Sequence, residues 1–287
     1  MRLSLKTTAL LLGLFAGAGL RCAAGTAADS SNAVTLAQKQ ITAYLAQLAD
    51  LHCTESVTQE KIGLNGHVTA AAHDQFDYLI MMNGNNDDFQ LNESRMENSQ
   101  THRKLLAQPM LVTNGMSTAL LVFHPYYRSA FTFTTGEVEL INGRAAIPIH
   151  FSHITGRRTP IALALRDREF PLDIDGIAWL DERSQQVVRV TAHLARDMSD
   201  VGLKSLEIRV EYKPQFFAGH LSSLSLPSEA LVEVTTPRQH WRNTHTFTDY
   251  KSFSTEVEQD PHFKVHPDKP AANAADGQTP QGAPKTQ

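Results

Sequence analysis

Histidine is the residue type in this chain with the greatest capacity for chemistry. There are 13 histidines among 287 residues, and the closest pairs are His150/His153 and His262/His266. The first pair lies three apart on a predicted strand, which sends the two rings to opposite faces. Because the chain contains neither an HExxH nor a CxxC motif, the sequence predicts no metal site and no cofactor.

The motifs of common enzyme classes are absent from the sequence. It contains no GxSxG, no Walker A motif and no GxGxxG, so we name no catalytic residue and predict a protein that is not an enzyme. A hydrolase whose site is assembled from His153, His245 and Asp181 stays as an alternative. That alternative requires the three side chains to converge within about 3 Å of one another.

Polar side chains interrupt two apolar rows. Alternation along 239–247 places Trp241, Asn243, His245 and Phe247 on one face. A buried amide or imidazole in such a row must find a hydrogen bond or cost a few kcal/mol. Asn243 and His245 are therefore either the polar points of a ligand pocket or satisfied core residues.

Two further strands carry candidate ligand contacts. His153 ends a predicted row that contains Phe151, and Trp179 shares a predicted face with Ile177. On the strand that follows Trp179, the predicted inward row is Val188, Val190, Ala192 and Leu194. A Trp in such a hairpin is either core or a platform for a ligand.

The elements that carry these residues are mostly strands. Residues 34–51 repeat apolar side chains at helical spacing, with Ile41, Tyr44, Leu45, Leu48 and Leu51 forming one stripe. From Cys53 the period becomes two, and an Asn-Gly-Asn-Asn turn at 83–86 indicates a hairpin. A helical turn is predicted at 117–123, and short strands follow to residue 247. We predict a mainly β (α+β) fold, an antiparallel open β-barrel or half-barrel with an N-terminal amphipathic helix and a short second helix.

The first 28 residues have the layout of a secretory signal peptide. Arg2 and Lys6 precede an apolar run at 7–20, and small residues follow, with cleavage predicted after Ala24 or Ala28. Cys22 lacks the residues of a lipobox, so it is expected to leave with the signal rather than carry a lipid anchor. Cys53 is then the only mature cysteine, and the favoured interpretation is a small buried apolar residue rather than a reactive thiol.

Charge and composition limit the partners. The formal charge is −4, and removal of residues 1–28 leaves 23 bases against 30 acids, a balance that argues against nucleic acid as a partner. Residues 256–287 are rich in Pro and Ala and are predicted to be a disordered tail. We therefore predict one β domain at 29–255, a monomer in the periplasm with peripheral envelope contact.

Two segments resemble a known family. Residues 176–190, with Trp179 and Asp181 before the turn, resemble the Trp-Asp hairpin of outer-membrane lipoprotein-sorting proteins, the LolA/LolB-like superfamily. The block at 237–250 is similar to the final strand of exported acidobacterial proteins of uncharacterised function. The resemblance covers residues 34–255 and implies an open barrel that holds acyl chains on an apolar face including Trp179, Phe151 and Trp241, with the 34–51 helix at its mouth.

Three functions remain open. The first is an exported non-catalytic binding protein that holds a lipid, an acylated protein or another apolar ligand, with Trp179, Trp241, Phe151, His153, Asn243 and His245 as contacts. The second is an envelope structural or interaction protein in which the same face is a filled core. The third is the hydrolase described above.

Overall fold

The computed structural model describes residues 27–48, 51–84, 89–97, 111, 113, 118–165, 168–217 and 223–252. Most of the predicted signal peptide lies outside the described residues, and so does its Cys22. The predicted tail at 256–287, with the His262/His266 pair, also lies outside them. Across the described ranges, no helix is long and apolar enough to cross a membrane.

The described residues form one α-helix and thirteen β-strands. Helix α1 is Ala27–Leu48. The strands are β1 (Leu51–Ile62), β2 (Val68–Gly84), β3 (Phe89–Glu97), β4 (Phe131–Thr135), β5 (Glu139–Ile141), β6 (Arg144–His153), β7 (Ala162–Leu165), β8 (Arg168–Pro171), β9 (Ile174–Asp181), β10 (Val187–Leu194), β11 (Ser205–Gln215), β12 (Leu224–Thr235) and β13 (His240–Ser252). Short 3-10 helices occupy Thr118–Phe123, Arg128–Ala130 and Ser199–Val201. The first of these is the predicted helical turn at 117–123.

Eleven strands form one antiparallel sheet in the order β3-β2-β1-β13-β12-β11-β10-β9-β6-β4, with β5 paired to β6. Strands β7 and β8 form a separate hairpin. Within the described part of the chain, β3 and β4 do not pair with each other, so the sheet is open. The predicted fold class, an open antiparallel half-barrel with an N-terminal helix, is confirmed.

The predicted hairpins are present, with one change of face. Gly84 pairs with Phe89 across the Asn-Gly turn, and β9 pairs with β10. The pairing shifts register between Val187 and Arg189, which turns Val188 to the opposite side from Val190. The predicted row through Val188 is therefore wrong at that residue, because a bulge breaks the strict alternation of a strand.

Helix α1 buries its predicted stripe against one face of the large sheet, called the inner face below. The buried side chains are Ala37, Ile41, Tyr44, Leu45 and Leu48, and they join the main core cluster together with residues of the strands. The helix begins at Ala27 rather than at residue 34. Leu51 is also buried, but as the first residue of β1 rather than as part of the helix.

Candidate functional site: a cleft beside the N-terminal helix

A cleft of about 300 Å³ lies beside the C-terminal half of α1. The helix contributes Gln40, Ile41, Ala43, Tyr44 and Gln47, and the strands contribute the start of β1, β10 and β12 and the end of β13. The apolar and aromatic lining consists of Ile41, Ala43, Tyr44, Leu51, Val187, Phe217 and Leu224. Such a lining suits an apolar ligand, and the volume is at the lower end of the range for small-molecule pockets.

Polar but uncharged side chains share this lining. Four glutamines take part, at positions 40, 47, 185 and 186, together with three serines at positions 184, 223 and 252. The Gln186 amide donates to the Ser223 carbonyl oxygen at 2.8 Å, and the Gln185 amide donates to the Glu182 carbonyl oxygen at 2.8 Å. Gln40 and Gln47 are exposed on α1, where their amides can reach a ligand or water.

Buried tyrosines lie at and behind the cleft. Tyr44 packs edge-on against Tyr212, with ring centroids 6.2 Å apart. In the described part of the chain, neither of their buried hydroxyls has a hydrogen-bond partner. Burial, followed by the neighbouring Tyr212 and Tyr250 hydroxyls, raises the pKa of Tyr44 well above its ordinary value. Both tyrosines therefore remain neutral at physiological pH.

Cys53 is part of the same apolar region. It is only 4% exposed, and burial raises the pKa of its thiol to about 12, against a smaller lowering by the hydrogen bond with Tyr250. Tyr250 in turn donates to the Pro227 carbonyl oxygen at 2.7 Å. Cys53 is thus a buried, protonated thiol, and the preferred interpretation of this residue is confirmed.

The predicted polar residues His245 and Asn243 lie elsewhere on the inner face. Both are buried, and they lie on β13 between Trp241 and Phe247 as the alternation predicted. His245 Nδ1 is 2.8 Å from Glu55 Oε1 on β1, and its Nε2 is 2.8 Å from Thr113 Oγ1. The imidazole therefore has a partner at each ring nitrogen.

The Glu55 carboxylate, which contacts His245, also pairs with an arginine. Arg95 on β3 makes a bidentate pair with Glu55, through Nε to one carboxylate oxygen and through Nη2 to the other at 2.8 Å. Burial raises the pKa of Glu55, but the hydrogen bonds from His245 and Arg95 outweigh burial and hold it below its ordinary value. Glu55 is consequently a fully buried carboxylate that stays ionised.

Residues 111 and 113 lie against this polar group. The Asn243 amide donates to the Leu111 carbonyl oxygen at 2.8 Å and to Thr113 Oγ1 at 2.9 Å. Gln59 on β1 donates to the same Leu111 carbonyl at 2.7 Å. Because Thr113 accepts from Asn243, its own hydroxyl proton is available to His245 Nε2. The network therefore holds residues 111 and 113 against β1 and β13.

His153 belongs to a second polar cluster at the end of β6. Its Nδ1 lies 2.9 Å from Asp173 Oδ1, a close contact without hydrogen-bond alignment. Arg196 Nη2 lies 2.8 Å from the other Asp173 oxygen. The His153 ring also packs on Phe131, with centroids 5.0 Å apart. This cluster is separate from the network around His245.

The three predicted aromatic contacts do not share one surface. Phe151 and Trp241 belong to the main core cluster. Phe151 is fixed over Gly176, where an added Cβ would come within 2.5 Å of its ring. Trp179 instead packs in a smaller cluster with Val188, and its indole donates to Glu139 Oε2 at 3.0 Å. The implied grouping of Trp179 with Phe151 and Trp241 is wrong, because successive residues of β9 alternate between faces.

The cleft is lined by residues other than the six predicted contacts. Their assignment as ligand contacts stays a prediction. The hydrolase triplet also does not assemble as required, because His245 pairs with Glu55, His153 contacts Asp173, and Asp181 pairs with Arg144 at 2.9 Å. Among the described residues, no group of three or more His, Cys, Asp or Glu side chains is placed to hold a metal ion.

The burial of a charge at Glu55 is predictable from the sequence. Glu55 stands in the alternating row of Leu51, Cys53 and Val57, so the alternation predicts a buried charge on β1. A buried carboxylate needs a cation or several donors. That rule would have predicted a partner for Glu55, although not which one.

Comparison with known proteins gives structural likeness only. No protein-family model and no curated protein matches the chain. A crystal structure of a domain described as a putative outer membrane lipoprotein-sorting protein from Vibrio parahaemolyticus is similar at 8% identity and a TM-score of 0.45, over 82% of this chain and 97% of that one. A DUF1329 family protein from Desulfovibrio piger is similar at 10% identity and a TM-score of 0.44, over 79% of this chain and 94% of that one. Likeness at this level concerns the fold alone and carries neither a superfamily nor a ligand over to this chain.

Proposed function

We propose that this protein is an exported, non-catalytic binding protein of the cell envelope that holds the acyl chain of a lipid in the cleft beside α1. The cleft itself carries the proposal. Its apolar lining can surround a chain, and its glutamine and serine side chains can contact the polar end. The small volume favours one chain rather than several.

The sequence supports the export and the domain limits in this proposal. Residues 1–28 form the signal peptide, 29–255 the binding domain and 256–287 a disordered tail, and the mature protein is a periplasmic monomer. Cleavage after Ala24 would leave α1 whole, whereas cleavage after Ala28 would remove only its first two residues. Either product keeps the cleft-lining part of the helix, which starts at Gln40.

Native mass spectrometry of the protein exported to a bacterial periplasm tests the proposal directly. We expect a discrete added mass that solvent extraction recovers as lipid. A clean mass, with no binding of added monoacylglycerol or fatty acid, would contradict the proposal. An adduct that resists solvent extraction and digests to peptides would point to an acylated protein as the ligand instead.

A substitution on α1 tests whether the cleft is the site. Ala43 is exposed and lines the cleft, so Ala43→Trp should fill it without disturbing the packed stripe. We expect lipid binding to fall at least tenfold, measured by displacement of a fluorescent fatty-acid probe. Ala46→Trp is the matched control, because Ala46 is exposed on the same helix but lies outside the lining. Equal binding by both variants would exclude the cleft.

One observation favours the second candidate function, an interaction protein with a filled core. Ile41 and Leu45 are each only 1% exposed, so most of the surface between α1 and the sheet is already packed. In that case lipid binding would be undetectable both in the wild-type protein and in Ala43→Trp. The probe experiment therefore separates the two candidates.

A further inference from the structure

The turn that follows β6 carries two adjacent arginines on the surface of the protein. The Arg157 N–H donates to the Ile154 carbonyl oxygen at 3.0 Å. Gly156, between them, has a φ of 80°, which a type II turn requires at that position. His153 Nε2 donates to the Arg158 carbonyl oxygen at 3.3 Å. The backbone of the turn is therefore held in place, while the side chains of both arginines are exposed.

The turn lies against the segment before β4, which carries a third arginine. The Ile154 N–H donates to the Ala130 carbonyl oxygen at 2.8 Å. Arg128 stands two residues before Ala130 and is also exposed. The pairing of the two segments brings three exposed cations to one surface. We call this surface the arginine patch, and it consists of Arg128, Arg157 and Arg158.

The arginine patch is not neutralised by the protein itself. None of its three guanidinium groups forms an ion pair with a described residue, and the nearby Asp173 carboxylate pairs with Arg196 instead, at 2.8 Å. Other described arginines do form ion pairs, at positions 95, 144, 189, 196, 209 and 242. Unpaired like charges that stand side by side repel each other, so the patch favours contact with an anion.

Aromatic and aliphatic side chains accompany these charges. The Arg158 guanidinium lies over the Tyr126 ring, 3.9 Å from its centroid, and Tyr126 packs edge-on against Tyr127 with centroids 4.8 Å apart. Stacking uses the face of the guanidinium and leaves its in-plane N–H groups available to phosphate oxygens. Ile154, a large apolar residue, is 39% exposed. Tyrosine is enriched at the level of lipid headgroups, and an exposed aliphatic side chain gains free energy by leaving water there.

We propose that the arginine patch docks this protein onto an anionic phospholipid bilayer, with the three guanidinium groups on lipid phosphates and Ile154 at the level of the headgroups. Residues 29–287 hold 23 bases against 30 acids, so the attraction has to be local. At physiological salt, charges more than about 8 Å away are largely screened. The patch lies outside the cleft lining, and the docking is therefore independent of lipid binding in the cleft.

Sedimentation with sucrose-loaded vesicles tests the docking. At low ionic strength, we expect the mature protein to sediment with vesicles of phosphatidylglycerol and phosphatidylethanolamine but not with vesicles of phosphatidylcholine. Each arginine near an anionic surface contributes a factor of about five to the partition coefficient. Arg157→Gln/Arg158→Gln should therefore weaken partition about 30-fold, and Arg128→Gln about fivefold.

The matched control removes the same charge elsewhere. Arg183 and Arg238 are exposed in the β9–β10 and β12–β13 turns and form no ion pair with a described residue. Arg183→Gln/Arg238→Gln should change the partition coefficient less than twofold. Arg157→Lys/Arg158→Lys keeps the charge and should stay within about threefold of wild type. The lysine variant separates the loss of charge from a folding defect.

Several results would overturn the docking proposal. These are no sedimentation of wild type with the anionic vesicles, equal sedimentation with phosphatidylcholine, and equal weakening by the control pair. Release of the protein by low millimolar inorganic phosphate at constant ionic strength would show a site for a small anion instead of a bilayer. Ala43→Trp, which fills the cleft, should sediment like wild type, so that a failure of lipid binding in the cleft and a failure of docking are separate outcomes.

Discussion

The inner face of β1 and β13 has two halves that bury their side chains in different ways. At the α1 end, Cys53 and Phe247 are packed with helix residues in the apolar core. At the other end, Glu55, His245 and Asn243 lie under residues 111 and 113. The two halves meet between Glu55 and Phe247, which are paired directly across the strands.

The difference concerns where the polar groups find partners. In the polar half, both oxygens of Glu55 and both ring nitrogens of His245 are bonded to side chains of this protein. In the apolar half, a cleft lies beside α1, and its lining combines apolar side chains with uncharged glutamines and serines. The polar half is therefore built to hold the chain together, whereas the apolar half retains capacity for a ligand.

The largest expected effect is on the free energy of unfolding, when the buried ion pair of the polar half is removed. Glu55→Gln keeps the shape of the side chain but leaves Arg95 and His245 without their carboxylate. Removal of one partner from a buried ion pair costs about 3–5 kcal/mol, and we expect a loss of that size in the free energy of unfolding, measured in urea at pH 7. Binding of the fluorescent fatty-acid probe should survive wherever the variant is folded, because the cleft lies in the other half.

The control for this variant is an ion pair nearer the solvent. Glu233 accepts from Arg242 at 2.7 Å with both side chains partly exposed, so Glu233→Gln should cost less than about 1 kcal/mol. Equal losses would contradict the distinction.

The low pKa of Glu55 also fixes the sign of the acid response: its stabilisation is complete above the unfolded-state pKa and is lost as pH falls through the lower folded-state value. Wild type and Glu55→Gln should therefore approach each other in stability below about pH 4.

The apolar half should lose stability at alkaline pH. The pKa of Cys53 is raised from 9.0 to about 12, so the stabilisation by the neutral thiol is complete below pH 9 and is lost as pH rises toward 12. Each pH unit in that window costs about 1.4 kcal/mol. Between pH 9 and 10.5, the unfolding free energy of wild type should fall by about 2 kcal/mol more than that of Cys53→Ala. Parallel curves for the two proteins would show that the thiol is accessible to water.

The alternation of strands made half of this comparison predictable. Trp241, Asn243 and His245 were placed on one face because the two-residue period of a strand is a local property. The partner of His245 was not predictable, because Glu55 is 190 residues away in sequence and only the pairing of β1 with β13 brings them together. The face of Val188 was predicted wrongly for a related reason, since a bulge is decided by the register of two strands.

The cleft could not be predicted from the sequence, for a different reason. The stripe of α1 predicted which helix residues are buried, including Ile41 and Tyr44. It contained no information on how closely the helix packs on the ends of β10 and β12. The volume of the cleft depends on that distance.

The smallest expected effect tests whether residues 111 and 113 serve the polar half alone. Thr113→Val keeps the shape of the side chain but removes the hydroxyl that bonds to His245 and Asn243. We expect a loss of about 1–2 kcal/mol in the free energy of unfolding, because two buried groups lose a partner. Thr58→Val is the matched control, since the Thr58 hydroxyl also bonds to a histidine, His73, at 3.0 Å but in an exposed position. Its cost should stay within about 0.5 kcal/mol. If Thr113→Val instead altered the affinity for the fluorescent fatty-acid probe more than stability, the two halves would be one coupled site, because ligand binding beside α1 would then depend on a hydroxyl held by His245.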